Sequence, residues 1–389
     1  MDHVSNGTVY RRETPSGASS WVAHVAWYEA GKRRQMKRTF RTKKDAQTSL
    51  VELLAAHQTG RFVESSKLTV RGFAEAWLDG LANQGRKATT LNGYRRIIDS
   101  YVAPRLGDVA LQDVKASDLD SLYAELLRGG GANGRPLSLT SVHHVHAALS
   151  KMLNDAERKG VVIRNVARLA NAPSLTTARS KGPEMTVWTP EQLCQFLRSI
   201  VGNRNEALFR LLALTGMRRG EAIGLRWSDI DLQLGQVSIR QAVTVVDGEE
   251  VVAAPKTRRS RRTIDIDADT SALLEQHRQT QSVALTRVDL NGAFDDRVFT
   301  NDVGDPMRPD SVGQAFHRLV DKAGVPVIRL HDLRHTHASH LLAAGINVKV
   351  VSERLGHASV SFTLDTYGGV MPGQQAEAAA AAAGLLVIK

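Results

Sequence analysis

Cysteine is almost absent from this chain: Cys194 stands alone in 389 residues. One cysteine excludes an intramolecular disulfide framework and a cysteine-based zinc finger, and it fits a reduced, intracellular compartment. Long apolar runs are missing as well. No stretch approaches the roughly 20 residues of a membrane span, and the opening MDHVSNGTVY has no apolar signal-peptide core. The expectation is a cytoplasmic protein without a membrane partner. No internal repeat is visible. What remains is ordinary for a globular protein, with 42% apolar and 23% charged residues. The length suffices for two or three domains, each with its own core.

Charge is more telling. The net is +11, with a pI near 9.9, which favours a polyanionic partner, nucleic acid first; a merely basic, well-solvated protein is the alternative. Residues 1–65 carry 11 Lys and Arg against 6 Asp and Glu, residues 66–175 carry 15 against 10, and residues 176–389 carry 25 against 24. The excess therefore lies in the first two segments, and any basic cluster in the third is local.

The segments differ in pattern. In 1–65, SWVAHVAWY (20–28) alternates, with Trp21, Ala23, Val25 and Trp27 on one face. The basic RRQMKRTFRTKK (33–44) follows, then a helical stretch ended by Gly60. A strand pair presenting Arg33, Arg34, Lys37, Arg38 and Arg41 could enter a DNA groove. The same lysines and arginines could equally protect a solvated edge strand. In 66–175, four helices with short loops predict a compact bundle. One covers 90–102, closed by Pro104 and Gly107; another opens on an S-x-x-D box at Ser117 and Asp120; a fourth covers 140–159. Residues 171–185 read as a linker. In 176–389, Thr189-Pro190-Glu191-Gln192 predicts a capped helix over 190–200, followed by one over 205–215. A strand over 236–246 meets a turn at Asp247-Gly248. RRTIDI (261–266) is a further strand, helices follow Arg308, and the alanine-rich 376–386 predicts a helical tail. The fold class is multidomain and mainly α: a small β-sheet plus helix, a helical bundle, and a mixed α/β domain.

The stretch HDLRHTHASH (331–340) holds four of the thirteen histidines. His331 and His335 share a helix face, but the zinc pattern H-E-x-x-H needs Glu where Asp332 stands. No third ligand is evident, so no metal is expected. Three other stretches join it: LLALTGMRRGEAIGLRWSDID (211–231), PKTRRSRRTIDI (255–266) and LGHASVSFTLDTYGG (355–369). Arginine forks bind phosphate oxygens in a planar, bidentate way, lysine and histidine move protons, and tyrosine can act as a nucleophile.

These four stretches, in this order, resemble the motif boxes of the tyrosine recombinases of the phage-integrase family. The likeness covers about residues 185–370. The bundle at 66–175 resembles the family's core-binding domain, and residues 1–65 are similar to the arm-binding domains of lambda-type and conjugative-element integrases. The resemblance implies that Arg218 and Arg334 clamp the scissile phosphate, that Lys256 protonates the leaving 5′-oxygen, and that His331 and His357 assist at the phosphate. It implies that Tyr367 attacks to give a 3′-phosphotyrosyl intermediate. Glu221 would orient Arg218 or a nearby backbone group. Arg258 and Arg259 would contact the DNA backbone, as would Arg261 and Arg262 unless they form a solvated face. His335, His337 and His340 are expected to be structural. Neither cofactor nor metal is implied. The implied partners are double-stranded DNA at core and arm-type attachment sites, further copies of the chain in a tetramer on DNA, and a host bending or excision factor. A chromosome-dimer-resolving recombinase and an inactive DNA-binding regulator are the alternatives. The first is disfavoured by the extra segment 1–65, the second by retention of all six catalytic groups.

Overall fold

In the computed structural model the described residues are 4–13, 19–29, 32–58, 66–131, 134–176, 186–253, 261–287, 296–301 and 303–368, with isolated positions 379 and 383. All of the predicted tail helix but those two positions, and most of the predicted linker, lie outside them. The chain divides into two units, Met1–Gly182 and Pro183–Lys389. Among the described residues no helix is long and apolar enough to cross a membrane.

The first unit opens with a three-stranded antiparallel sheet: β1 (Val4–Glu13), β2 (Ser19–Glu29) and β3 (Lys32–Phe40), with β2 central. β1 carries too little alternation to be read from sequence. Helix α1 (Lys43–Gln58) covers one face, where Val25, Trp27 and Leu53 pack with Met36, Leu50 and Leu54. Of the five basic residues expected to act together, Arg41 lies just past the end of β3, and strand pleat splits the other four. Arg34 and Arg38 share the face of Met36, toward α1. Arg33 and Lys37 lie on the opposite, open face, with Gln35 and, by register, His24 and Tyr28 of β2.

The bundle follows: α2 (Val70–Asn83), α3 (Ala88–Ile97), α4 (Ala116–Arg128) and α5 (Leu139–Arg158). Its core holds Phe73, Trp77, Leu119, Tyr123, Leu149 and Met152. Two predicted boundaries differ. The helix carrying α3 does not close at Pro104; it runs through a π-helical turn at Ile98–Val102 and on to Leu106. The Ala103 N–H reaches back five residues to the Ile98 carbonyl, a widening that accommodates the missing proline N–H and its ring. The box that opens α4 is not Ser117 with Asp120. Asp118 accepts from the Lys115 N–H at 2.9 Å, while Asp120 accepts from the Asn171 backbone at 2.6 Å.

The second unit begins as expected. Thr189 caps α6 (Pro190–Ser199): its hydroxyl accepts from the Gln192 N–H at 3.3 Å, and the Gln192 side chain accepts from the Thr189 N–H at 3.0 Å. Next come α7 (Glu206–Thr215), α8 (Arg219–Ile223), β4 (Ile230–Asp231), β5 (Gln236–Ile239), β6 (Ala242–Val246), β7 (Glu249–Ala253), β8 (Arg262–Asp265) and α9 (Ala268–Arg287). The last helices are α10 (Pro309–Ala323), α11 (Asp332–Ala343), α12 (Val348–Leu355) and α13 (Val360–Tyr367). The single strand predicted over 236–246 is two strands in two sheets, β4-β5-β8 and the hairpin β6-β7. The break falls at polar Arg240 and Gln241; the Gln241 amide donates to the Gly224 carbonyl at 2.7 Å. Asp247 and Gly248 have φ of 51° and 85°, the backbone a tight two-residue hairpin requires. Trp188, Phe196, Phe209 and Phe316 centre the core.

Candidate active site

Three helix ends converge. Helix α7 stops at Gly216 (φ 63°) and α12 at Gly356 (φ 68°), both left-handed caps that favour glycine. Helix α11 starts beside them. The last carbonyls of a helix have no partner within it and carry partial negative charge; here arginines meet them. Arg334, 3% exposed, donates to the Gly216 and Leu355 carbonyls, both at 2.7 Å. Arg354 donates to Leu214 at 3.0 Å, Arg262 to the Arg354 carbonyl at 2.7 Å, and Arg218 to Gly356 at 3.4 Å.

Glu221 ties this net together. Its buried carboxylate accepts from the Arg218 backbone N–H at 2.9 Å and from the Arg218 guanidinium at 2.8 Å. It also accepts from Arg262 at 3.2 and 2.9 Å. Burial pushes the Glu221 carboxyl up, but the hydrogen bonds and charges of Arg262 and Arg218 outweigh that and hold it below its usual range. Among the described residues no carboxylate lies at ion-pair distance from Arg334. Burial, and then the like charge of Arg218, pull its guanidinium down to about 9, still protonated at neutral pH. Arg218 and Arg262 thus share one carboxylate while Arg334 beside them is held by carbonyls, so these three guanidiniums and Glu221 leave a surplus of two positive charges that favours a bound anion.

The histidines around this surplus are neutral. Burial first, then His335 and Arg334, lower His331 to about 4. Burial, then Arg334, Arg218 and Arg262, lower His357 to about 3. Nδ1 of His357 meets the Thr363 hydroxyl at 2.8 Å, which fixes the ring. The Tyr367 ring is 1% exposed and packs with Ala338, Leu342, Val351 and Leu355. It lies parallel to His357, with ring centroids 6.4 Å apart. Burial raises its phenol to about 12, against the lowering effect of Arg334. Its hydroxyl is 2.7 Å from Nδ1 of His335. Arg218, His331 and Arg334 also line an open cavity of about 480 Å³, with Arg219, His317 and Arg329 among the other walls.

Of the expected site residues, Arg218, Glu221, His331, Arg334, His357 and Tyr367 come together from four elements and their flanks. Lys256, Arg258 and Arg259 lie outside the described residues. Glu221 holds both the backbone and the side chain of Arg218. Two readings change. Arg262 is not a solvated neighbour of Lys256 but a buried partner of Glu221, its side chain 7% exposed. His335, expected to be structural, touches the Tyr367 hydroxyl. His337 and His340 are structural: His337 accepts from Arg354 at 3.2 Å and His340 bonds the Trp188 carbonyl at 2.9 Å. No local sequence signal distinguishes Arg262 from its basic neighbours; β8 pairing sets which way it points.

Residues 185–371 match the phage integrase family, and residues 69–127 match the phage integrase N-terminal SAM-like domain. The chain belongs to the phage integrase family. Its relatives include a tyrosine recombinase XerC-like protein of Caldanaerobacter subterraneus, 26% identical over 97% of this chain and 96% of that one. The ICEBs1 integrase of Bacillus subtilis is 29% identical over 73% of this chain and 74% of that one. Among solved structures, the Tn1549 transposon integrase in complex with a circular intermediate DNA superposes with a TM-score of 0.64 at 21% identity, over 77% of this chain and 95% of that one. A lambda integrase dimer bound to a core site gives 0.57 at 18% identity, over 92% and 94%. The family's tyrosine recombinases are enzymes that break and rejoin DNA strands, and the multidomain, mainly helical fold is theirs.

Proposed function

We propose that this chain is a site-specific integrase that cuts and rejoins DNA through a 3′-phosphotyrosyl intermediate and a Holliday junction, moving a mobile element into and out of a prokaryotic chromosome. The observation that carries the reading is the surplus of two positive charges beside a buried phenol. A phosphodiester brings one negative charge, and attack by a tyrosine oxygen makes the pentacoordinate centre a dianion. The surplus therefore fits the transition state better than the ground state, which is what accelerates a reaction. In this reading Arg218 and Arg334 hold the non-bridging oxygens, and Tyr367 attacks phosphorus. His331 and His357, neutral, donate hydrogen bonds to the phosphate. The role of Lys256, protonating the 5′-oxygen, rests on the family resemblance. Bond energy is kept in the phosphotyrosine, so rejoining needs no nucleotide cofactor.

The same reading assigns residues 1–65 to arm-type DNA, 66–175 to the core site, and 176–389 to catalysis with a helical tail. It places the protein in the cytoplasm, as a tetramer on double-stranded attachment sites, assisted by a host bending or excision factor. Exposed Arg33 and Lys37 on the open sheet face support the arm-site assignment.

The test is a nicked suicide duplex built on the attachment sequence that flanks the gene. The protein should form a covalent adduct at the 3′-phosphate, and Tyr367→Phe should form none while binding the duplex as before. Adducts persisting in Tyr367→Phe would remove the assignment.

A further inference from the structure

Attack by a phenol requires that its proton go somewhere. With the hydroxyl pushed up to about 12 by burial, Tyr367 holds that proton firmly at neutral pH, so an acceptor must take it as the new bond forms. Three imidazoles stand near. His357 lies parallel to the phenol and its Nδ1 is engaged by Thr363. His331 is turned edge-on to His335, ring centroids 5.1 Å apart. His335 alone among the three makes a hydrogen bond to the hydroxyl, 2.7 Å from Nδ1. For Nδ1 to accept, the ring proton sits on Nε2, a tautomer inferred from the bond itself. His335 also follows Arg334 directly and lies one helical turn after His331. One turn of α11 therefore carries both a phosphate-binding guanidinium and a base for the nucleophile.

Resting on the recombinase reading above, we propose that His335 is the catalytic proton acceptor for Tyr367. In cleavage, the phenolic O–H bond breaks and its proton passes to Nδ1 as the tyrosine oxygen bonds to phosphorus. The bond from phosphorus to the 5′-oxygen breaks, and that oxygen leaves as a hydroxyl with the proton that the recombinase reading assigns to Lys256. In rejoining, the imidazolium returns its proton to the departing phenolate. The histidine must begin neutral, and its surroundings keep it so. Burial acts first and outweighs the opposing carboxylate of Asp332, with Arg334 on its own helix and Arg329 just before that helix adding to the lowering. His331 just before α11, and His357 and Tyr367 at the two ends of the segment that holds α13, complete the titratable groups facing it.

The experiment separates the two sides of the reaction. Full-length protein is given the nicked attachment duplex with either oxygen or sulfur at the bridging 5′ position; a sulfur leaving group departs without a proton. His335→Ala should slow adduct formation by about 10²–10⁴-fold with both substrates, its rate should climb about tenfold per pH unit, and added imidazole should restore part of it. His335→Gln keeps an acceptor for the hydroxyl but cannot take its proton, so it should stay slow. Full activity in His335→Gln would make the residue a positioning group. Rescue of His335→Ala by sulfur would place it on the leaving-group side. A faster His335→Ala would make it a latch that restrains the tyrosine. Each of these results overturns the proposal. Adducts in Tyr367→Phe, by contrast, would overturn the recombinase reading itself, whatever His335 does.

Discussion

Removing the Glu221 carboxylate should damage stability and cleavage together, by separable amounts. The carboxylate is 4% exposed and faces Arg262, itself 7% exposed, and Arg218, which is 41% exposed. The half-exposed Arg218 arm is worth about 0–1 kcal/mol to stability. The Arg262 arm is a buried pair, and losing one partner costs about 3–5 kcal/mol because the other charge is stranded. Glu221→Ala should therefore lower the melting temperature by roughly 6–20 °C, at about 2–4 °C per kcal/mol for a unit of this size. Removing Arg262 as well should recover part of the loss, with a coupling of about 0.5–3 kcal/mol in a double-mutant cycle. Cleavage should fall by up to about 10²–10³-fold, the worth of one misplaced donor, since Arg218 loses both its side-chain and its backbone anchor. Acid sharpens the test. A carboxyl held below its usual 4.5 contributes stability that is full above that pH and fades as pH falls through the lowered native value. The gap between the parent and Glu221→Gln should therefore close in acid. Calorimetry of the full chain and adduct formation on the nicked duplex are the assays. If Glu221→Ala melts with the parent and cleaves normally, the carboxylate does not organise the site.

Arg334→Lys keeps the charge but loses the fork that spans the Gly216 and Leu355 carbonyls. Adduct formation should drop by about 10²–10³-fold while site affinity, read by gel shift, stays near that of the parent; affinity falling in step would make Arg334 a binding residue. On the sheet, replacing Arg33 and Lys37 together by Ala should weaken binding to arm-type DNA and flatten the salt dependence by about two in log–log slope. Arg34 and Arg38, on the α1 side, should matter less, and the reverse order would place the other face against DNA.

What the sequence disclosed follows the range of the physics involved. The Thr189–Gln192 cap and the Asp247-Gly248 turn are local chemistry and stand where the pattern put them. The motif boxes brought Arg218, Arg334, His357 and Tyr367 together because each box is a short segment with a fixed internal geometry. Failures came where a distant contact decided. Pro104 stays inside its helix because the preceding turn widens while Ile98, Val102, Ala103 and Leu106 pack into the bundle core. Asp120 leaves its helix start for Asn171, fifty-one residues on. Arg262 looks like its basic neighbours until β8 pairs with β5 and turns it toward Glu221. His335 reads as one more histidine in a polar helix until the end of α13 comes to rest beside it.

An enzyme that breaks DNA strands is dangerous in pieces, and the anchoring of its arginines on helix ends bears on that. Arg334 is held by carbonyls 118 and 21 residues away in sequence, and Arg262 by a carbonyl 92 away. A nascent or proteolysed chain in which α7, α11 and α12 have not all docked has no anion pocket. Bringing such distant segments together carries a loop-closure cost that must be met before the site exists. Damage to DNA is thereby tied to completion of the whole second unit. A side chain at Gly356 would also test that coupling, because its Cβ would stand 2.8 Å from the Arg262 guanidinium. The harmless partly folded chain and the competent enzyme are separated by the docking of three helix termini.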